Sequence, residues 1–198
     1  MPWVIAVLLV AVLAVSMAAV RKNGSVQQEI RTCLNETGDA QRLKTLLGKR
    51  GVRALSTGAE ADDARVRLCR MEHDEAAMKQ ALAEMNRHAA PVQLDYLWGV
   101  DRFYYALMRQ DLDDLEKAFE FVSQVTDRNR KKKMERALDG MEALVDLLRA
   151  PRTEAKMTPL LNRLLGAFNT ETGFSRVEQG WILEDLKAAG IRIVPAEE

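Results

Sequence analysis

From residue 25 onward, apolar residues recur at three- and four-residue spacing, the period of a helix with one buried face. Ser25 with Gln28 has the form of a capping box and predicts a helix ending near Gly38. Asp39 caps a second helix, with Leu43, Leu46 and Leu47 on one side and a stop between Gly48 and Gly51. Residues 52–62 (VRALSTGAEAD) read as a loop, since Ser, Thr and Gly fall together. A helix from about Ala61 to Met71 carries Val66, Leu68 and Cys69, and His73–Asp74 marks a turn. The next runs from about Glu75 to His88 with Met78, Leu82 and Met85 inward.

Pro91 opens the following helix, in keeping with the first-turn preference of proline. It holds Leu94, Leu97, Trp98, Phe103, Tyr104, Leu107 and Met108, the richest aromatic stretch and the expected core. Asp111 starts its partner, with Leu112, Leu115, Phe119 and Val122 inward. A helix bearing Met134, Leu138, Met141, Leu144, Val145 and Leu148 follows and ends at Pro151. Thr153 or Thr158 begins another, burying Leu160, Leu161, Leu164, Leu165 and Phe168. The last spans about Ser175 to Ala189 with Val177, Trp181, Ile182 and Leu186, and Gly190 is its C-cap. Strand-like alternation is absent outside Ile191–Val194, which is either a short strand or an extended tail. The expected class is all-α.

One stretch does not fit the amphipathic pattern. Trp3 to Val20 reads WVIAVLLVAVLAVSMAAV, with Ser16 its one polar side chain and Arg21 and Lys22 directly after it. As a helix it spans about 27 Å, enough to cross a hydrocarbon core. Residues 1–22 are therefore expected to form a transmembrane anchor, with Trp3 at one interface and Arg21 and Lys22 at the other. The basic flank places residues 23–198 in the cytoplasm as a single-pass membrane protein of the cell membrane. The alternative is a signal peptide cleaved near Ala18, because Ser16-Met17-Ala18 has a small-x-small form, which would release a secreted or periplasmic protein.

Charge narrows the function classes. The chain has 29 basic and 29 acidic residues, a balance unlike that of a protein built to neutralise phosphates, so no nucleic-acid partner is expected. Cys33 and Cys69 lie among apolar neighbours with no CxxC, which reads as two small buried hydrophobes; a disulfide between neighbouring helices is the other reading. Glu72-His73-Asp74-Glu75 is the one cluster resembling metal ligands, but it falls at a turn where acidic caps are expected and no second histidine is within reach. No P-loop, G-x-S-x-G, G-x-G-x-x-G or H-E-x-x-H occurs. No cofactor, metal or catalytic residue is expected, and an enzyme with an unrecognised carboxylate site is kept as an alternative.

The turns Gly38–Asp39, His73–Asp74 and Gln110–Asp111 are each followed at a fixed distance by an apolar trio, starting at Leu43, Met78 and Leu115. The period is roughly 35 residues, that of paired helices that must stack to bury their apolar faces. This pattern resembles the tetratricopeptide-repeat (TPR) family over about residues 26–168, most closely from Asp95 to Val125. Leu115, Phe119 and Val122 fall where the family places a small residue, an aromatic and another small residue. The resemblance implies stacked antiparallel hairpins and a membrane-tethered scaffold that binds a protein partner; an irregular helical bundle is the other architecture open. Residues 169–198 would add a C-terminal helix and tail.

Two groups are candidates for that partner. Tyr104 and Tyr105 are adjacent on one helix and point in different directions, so either one ring is exposed as a partner contact or both pack against the neighbouring hairpin or the membrane-proximal helix. The basic run Arg128, Arg130, Lys131, Lys132 and Lys133 suits an acidic partner or anionic headgroups, or is simply a solvated helix start.

Overall fold

A computed structural model describes residues 24–48, 58–85, 92–129, 132–169 and 173–191. Trp3, Arg21 and Lys22, and with them the expected anchor, lie outside the described residues, as do Arg130, Lys131 and 192–198. Among the described residues no helix is long and apolar enough to cross a membrane.

The described residues are all helical apart from turns and short connections. Residues 24–32 form α1, whose final turn, Cys33–Thr37, widens to a π-helix and ends at Gly38 in the left-handed conformation (φ 64°). Then come α2 (Ala40–Gly48), α3 (Gly58–Met71), α4 (Glu75–Met85), α5 (Val92–Arg109), α6 (Leu112–Asn129), α7 (Lys132–Arg149), α8 (Glu154–Phe168) and α9 (Arg176–Ala188). Two starts differ from expectation. Residue 24 is already helical, so Ser25 lies inside α1 and does not cap it. α3 begins at Gly58, inside the expected loop. α8 starts after Thr153, one of the two expected starts, and keeps Pro159 within it.

The first three hairpins share one turn chemistry. The α1–α2, α3–α4 and α5–α6 connections each place a left-handed residue (Gly38, His73 at φ 54°, Gln110 at φ 55°) directly before an aspartate. Each aspartate carboxylate accepts from the backbone N–H three residues on: Arg42 to Asp39 at 2.8 Å, Ala77 to Asp74 at 2.9 Å, Asp114 to Asp111 at 3.1 Å. The aspartate therefore satisfies an orphan donor of the second helix just as the left-handed residue closes the first. The fourth hairpin, α7–α8, turns through Pro151 instead.

The hairpins pack in chain order: α2 on α3, α3 and α4 on α5, and α6 on α7, with the tightest packing inside α5–α6, α7–α8 and α3–α4. The apolar trios sit at these seams, with Leu43, Leu46, Met78, Met85, Leu115 and Val122 almost fully buried. Val66, Met78, Phe103, Leu107, Leu144, Leu164 and Ile182 belong to one core that runs from α3 through α9, while Cys33, Leu34, Leu43, Leu46 and Ala64 form a second around α1–α2. At Gly99 an added Cβ would lie 2.8 Å from Phe121 and Val122, so the α5–α6 approach requires glycine. Cys33 and Cys69 are free, and burial pushes both thiols up from their ordinary value.

The last helix departs from the hairpin order. α9 packs on the π-turn of α1 and on α5, across the face made by the first helices of successive hairpins. Phe174, just before it, lies over Gly140 of α7 and edge-to-face on Phe168, with ring centroids 5.8 Å apart. Arg152 in the α7–α8 turn donates to the carbonyl of Ala189 at its other end.

Candidate interaction face

α9 is opened by a capping box. The Glu178 N–H donates to the Ser175 hydroxyl, and the Ser175 N–H donates to the Glu178 carboxylate at 2.7 Å. Its buried stripe is Glu178, Trp181, Ile182, Asp185 and Leu186, an i, i+3, i+4, i+7, i+8 pattern with carboxylates two turns apart. On α3, Arg67 and Arg70 stand one turn apart and receive them.

Arg70 is 1 % exposed and donates from one Nη to both oxygens of Asp185, at 2.8 and 2.7 Å. Its guanidinium also lies over the Trp181 ring, 5.7 Å from the centroid, and Trp181 meets Tyr104 edge-on at 5.5 Å. Arg67 is the centre of a larger cluster: Asp63 at 3.0 Å, Glu178 at 3.0 Å and Asp101 of α5 at 3.5 Å. Burial works against the Arg67 charge, but these three carboxylates hold its guanidinium well above its ordinary value.

Asp101 has the most strained environment. It is 1 % exposed, and neither carboxylate oxygen has a hydrogen-bond partner among the described residues. Burial, reinforced by the neighbouring Asp63 and only partly offset by Arg67, raises it well above the usual carboxylate range. The same burial, with the Glu178 charge nearby, pushes Tyr96 up to about 12 and Tyr104 well above its ordinary value.

Above this cluster is a cavity of about 230 Å³ between α1, α3 and α5, with Ile30, Leu34 and Leu97 on its apolar walls and Glu60, Asp63 and Arg67 on its polar side. It falls below the roughly 300 Å³ at which small-molecule sites begin. No group of three His, Cys, Asp or Glu among the described residues is placed to hold a metal ion. The physical reason at the Arg67 cluster is plain: a guanidinium already occupies the centre of the carboxylates.

Of the two readings for the tyrosine pair, the structure excludes an exposed ring and shows both packed. Tyr104 and Tyr105 are 2 % and 7 % exposed. Although they point apart, α5 is covered on more than one side: Tyr104 faces α9, and Tyr105 lies under Arg109, whose guanidinium is 5.3 Å from the ring centroid. The basic run is split between two helices, with Arg128 in the last turn of α6 and Lys132 and Lys133 opening α7. Arg67, Arg70, Glu178 and Asp185 were not singled out from sequence. The available signal was charge at apolar-face positions: Glu178 and Asp185 share the helical face of Trp181 and Ile182. No protein-family model, no curated protein and no solved structure matches this chain.

Proposed function

We propose that this chain is a membrane-tethered scaffold, held by its apolar N-terminal segment, that recruits a protein partner through TPR-like stacked hairpins and carries out no chemistry itself. The observation that carries this reading is the repeated hairpin: one left-handed residue and one capping aspartate at three successive turns, with each hairpin seated on its chain neighbour. Such arrays present one helix face of each repeat along a continuous surface. Here that surface already grips a helix, α9, through Arg67 and Arg70. The tether follows from Trp3–Val20 with Arg21 and Lys22, and the cytoplasmic side from the same basic flank. The enzyme reading draws some support from the raised Asp101, but the adjoining cavity is small and Arg67 is saturated by its carboxylates.

The test is purification from native membranes after alkaline carbonate washing, with intact-mass analysis and crosslinking. The expected result is a full-length chain that stays in the membrane and crosslinks in fixed stoichiometry to one protein, reduced when Arg128, Arg130, Lys131, Lys132 and Lys133 are changed to Ala. A chain shortened at Ala18 and found in the soluble fraction would overturn the tether. A membrane-bound chain with no crosslinked partner would overturn the scaffold.

A further inference from the structure

The contact between α9 and the hairpins is unlike the contacts among the hairpins themselves. Most hairpin seams are apolar, with Leu, Met, Val and Ala at their centres, although Arg67 of α3 and Asp101 of α5 bring buried charge to one of them. The α9 seat combines three apolar side chains, Trp181, Ile182 and Leu186, with two buried ion pairs. Beneath it three polar atoms find no hydrogen-bond partner among the described residues: Arg70 Nε and both oxygens of Asp101. Buried ion pairs add little net stability because desolvation offsets their attraction, whereas they discriminate strongly against a partner lacking the matching charge. Such an interface selects a particular helix through its charges, while Trp181, Ile182 and Leu186 share the main core of the hairpins. The hairpins, meanwhile, rest on one another in chain order, and the π-turn of α1 packs on both α2 and α9.

We propose that this face is a docking site for a partner's acidic amphipathic helix, and that α9 is its resident occupant, which the partner must displace. The inference rests on the scaffold reading above and names the chemistry of its partner. The incoming helix presents two carboxylates two turns apart, one for Arg67 and one for Arg70, with large apolar residues three, four and eight positions after the first. α9 is that pattern written in the chain itself: Glu178, Trp181, Ile182, Asp185, Leu186. Joined to α8 by a short connection, it competes at an effective concentration on the order of millimolar. A free partner therefore sees only the fraction of molecules whose α9 has lifted, and its apparent affinity falls by that fraction.

The experiment uses the full chain in lipid nanodiscs and a fluorescein-labelled peptide of residues 173–191, read by anisotropy. Trp181→Ala loosens α9 and leaves the receiving face intact. The expected result is at least tenfold tighter peptide binding to Trp181→Ala than to the unaltered chain. Binding should fall back at least tenfold when Arg70→Ala is added, or when the peptide carries Glu178→Gln and Asp185→Asn. A Trp181→Ala chain that keeps its helical circular dichroism yet binds no better than the unaltered chain would overturn the proposal. Should that variant unfold, hydrogen exchange on the unaltered chain decides. Opening of α9 amides at least a hundredfold more often than those of α5 supports displacement, and exchange of both together overturns it. A dimer of the unaltered chain with α9 exchanged between protomers would also overturn it, in favour of a second copy as occupant. The peptide result is independent of whether native membranes yield a crosslinked protein, so failure here and failure of the scaffold reading are told apart.

Discussion

Arg70 and Asp185 are 115 positions apart, and both are buried where each offsets the charge of the other. Removing one leaves an uncompensated ion, whereas replacing both with apolar side chains removes two desolvation costs along with the attraction. Arg70→Ala is expected to lower unfolding stability by about 3–5 kcal/mol, and Arg70→Met with Asp185→Leu to restore most of it, read from urea titrations as a double-mutant cycle. The same pair imparts a pH dependence. Burial pushes Asp185 up to about 6 from 3.8, against the lowering effect of Arg70. A carboxyl raised on folding contributes stability that is full below about pH 4 and is lost as pH rises through about 6. Asp101 is raised by burial and so has the same sign. Thermal unfolding between pH 4 and 7 should therefore show stability falling with pH, with a slope that flattens in Asp185→Asn.

At the scale of elements, the three left-handed turns set the terms. Gln110 occupies a conformation that favours glycine, so Gln110→Gly should raise stability by about 1 kcal/mol even after the entropy it adds to the unfolded chain. Asp111→Ala removes the acceptor for the Asp114 N–H and should cost about 1 kcal/mol; paired denaturation curves of the two variants would read both signs at one turn. Gly140→Ala puts a Cβ into the Phe174 ring edge, so the ring must move and loosen the entry to α9, at about 1–3 kcal/mol in the same assay. These turns were legible in sequence because capping is local: an aspartate and the residues three before and after it suffice. Leu43, Met78 and Leu115 were legible for the same reason, through helical periodicity. What local pattern does not carry is which second element covers a helix. Tyr104 and Tyr105 look half-exposed on an isolated helix, and burial of Tyr104 depends on Trp181, far along the chain. Arg67 and Arg70 read as ordinary surface charge until α9 brings Glu178 and Asp185 to them.

For the whole molecule, α9 converts an open row of hairpins into a braced one. It reaches back to the π-turn of α1, crosses α3 and α5, and is pinned near its ends by Phe174 over Gly140 and by Arg152 at Ala189. Contacts this distant in sequence form late if the hairpins, whose contacts are local, assemble first. The brace also has a direction. If the chain is held at its N-terminal end, tension applied at the C-terminus meets α9 before any hairpin, and its ionic and aromatic contacts bear that load in advance of the apolar seams. The molecule then behaves as a mechanical fuse. Pulled between its ends in an optical trap, it should give a first, low-force step that releases about residues 173–191 and recloses readily, with the hairpins yielding only at higher force.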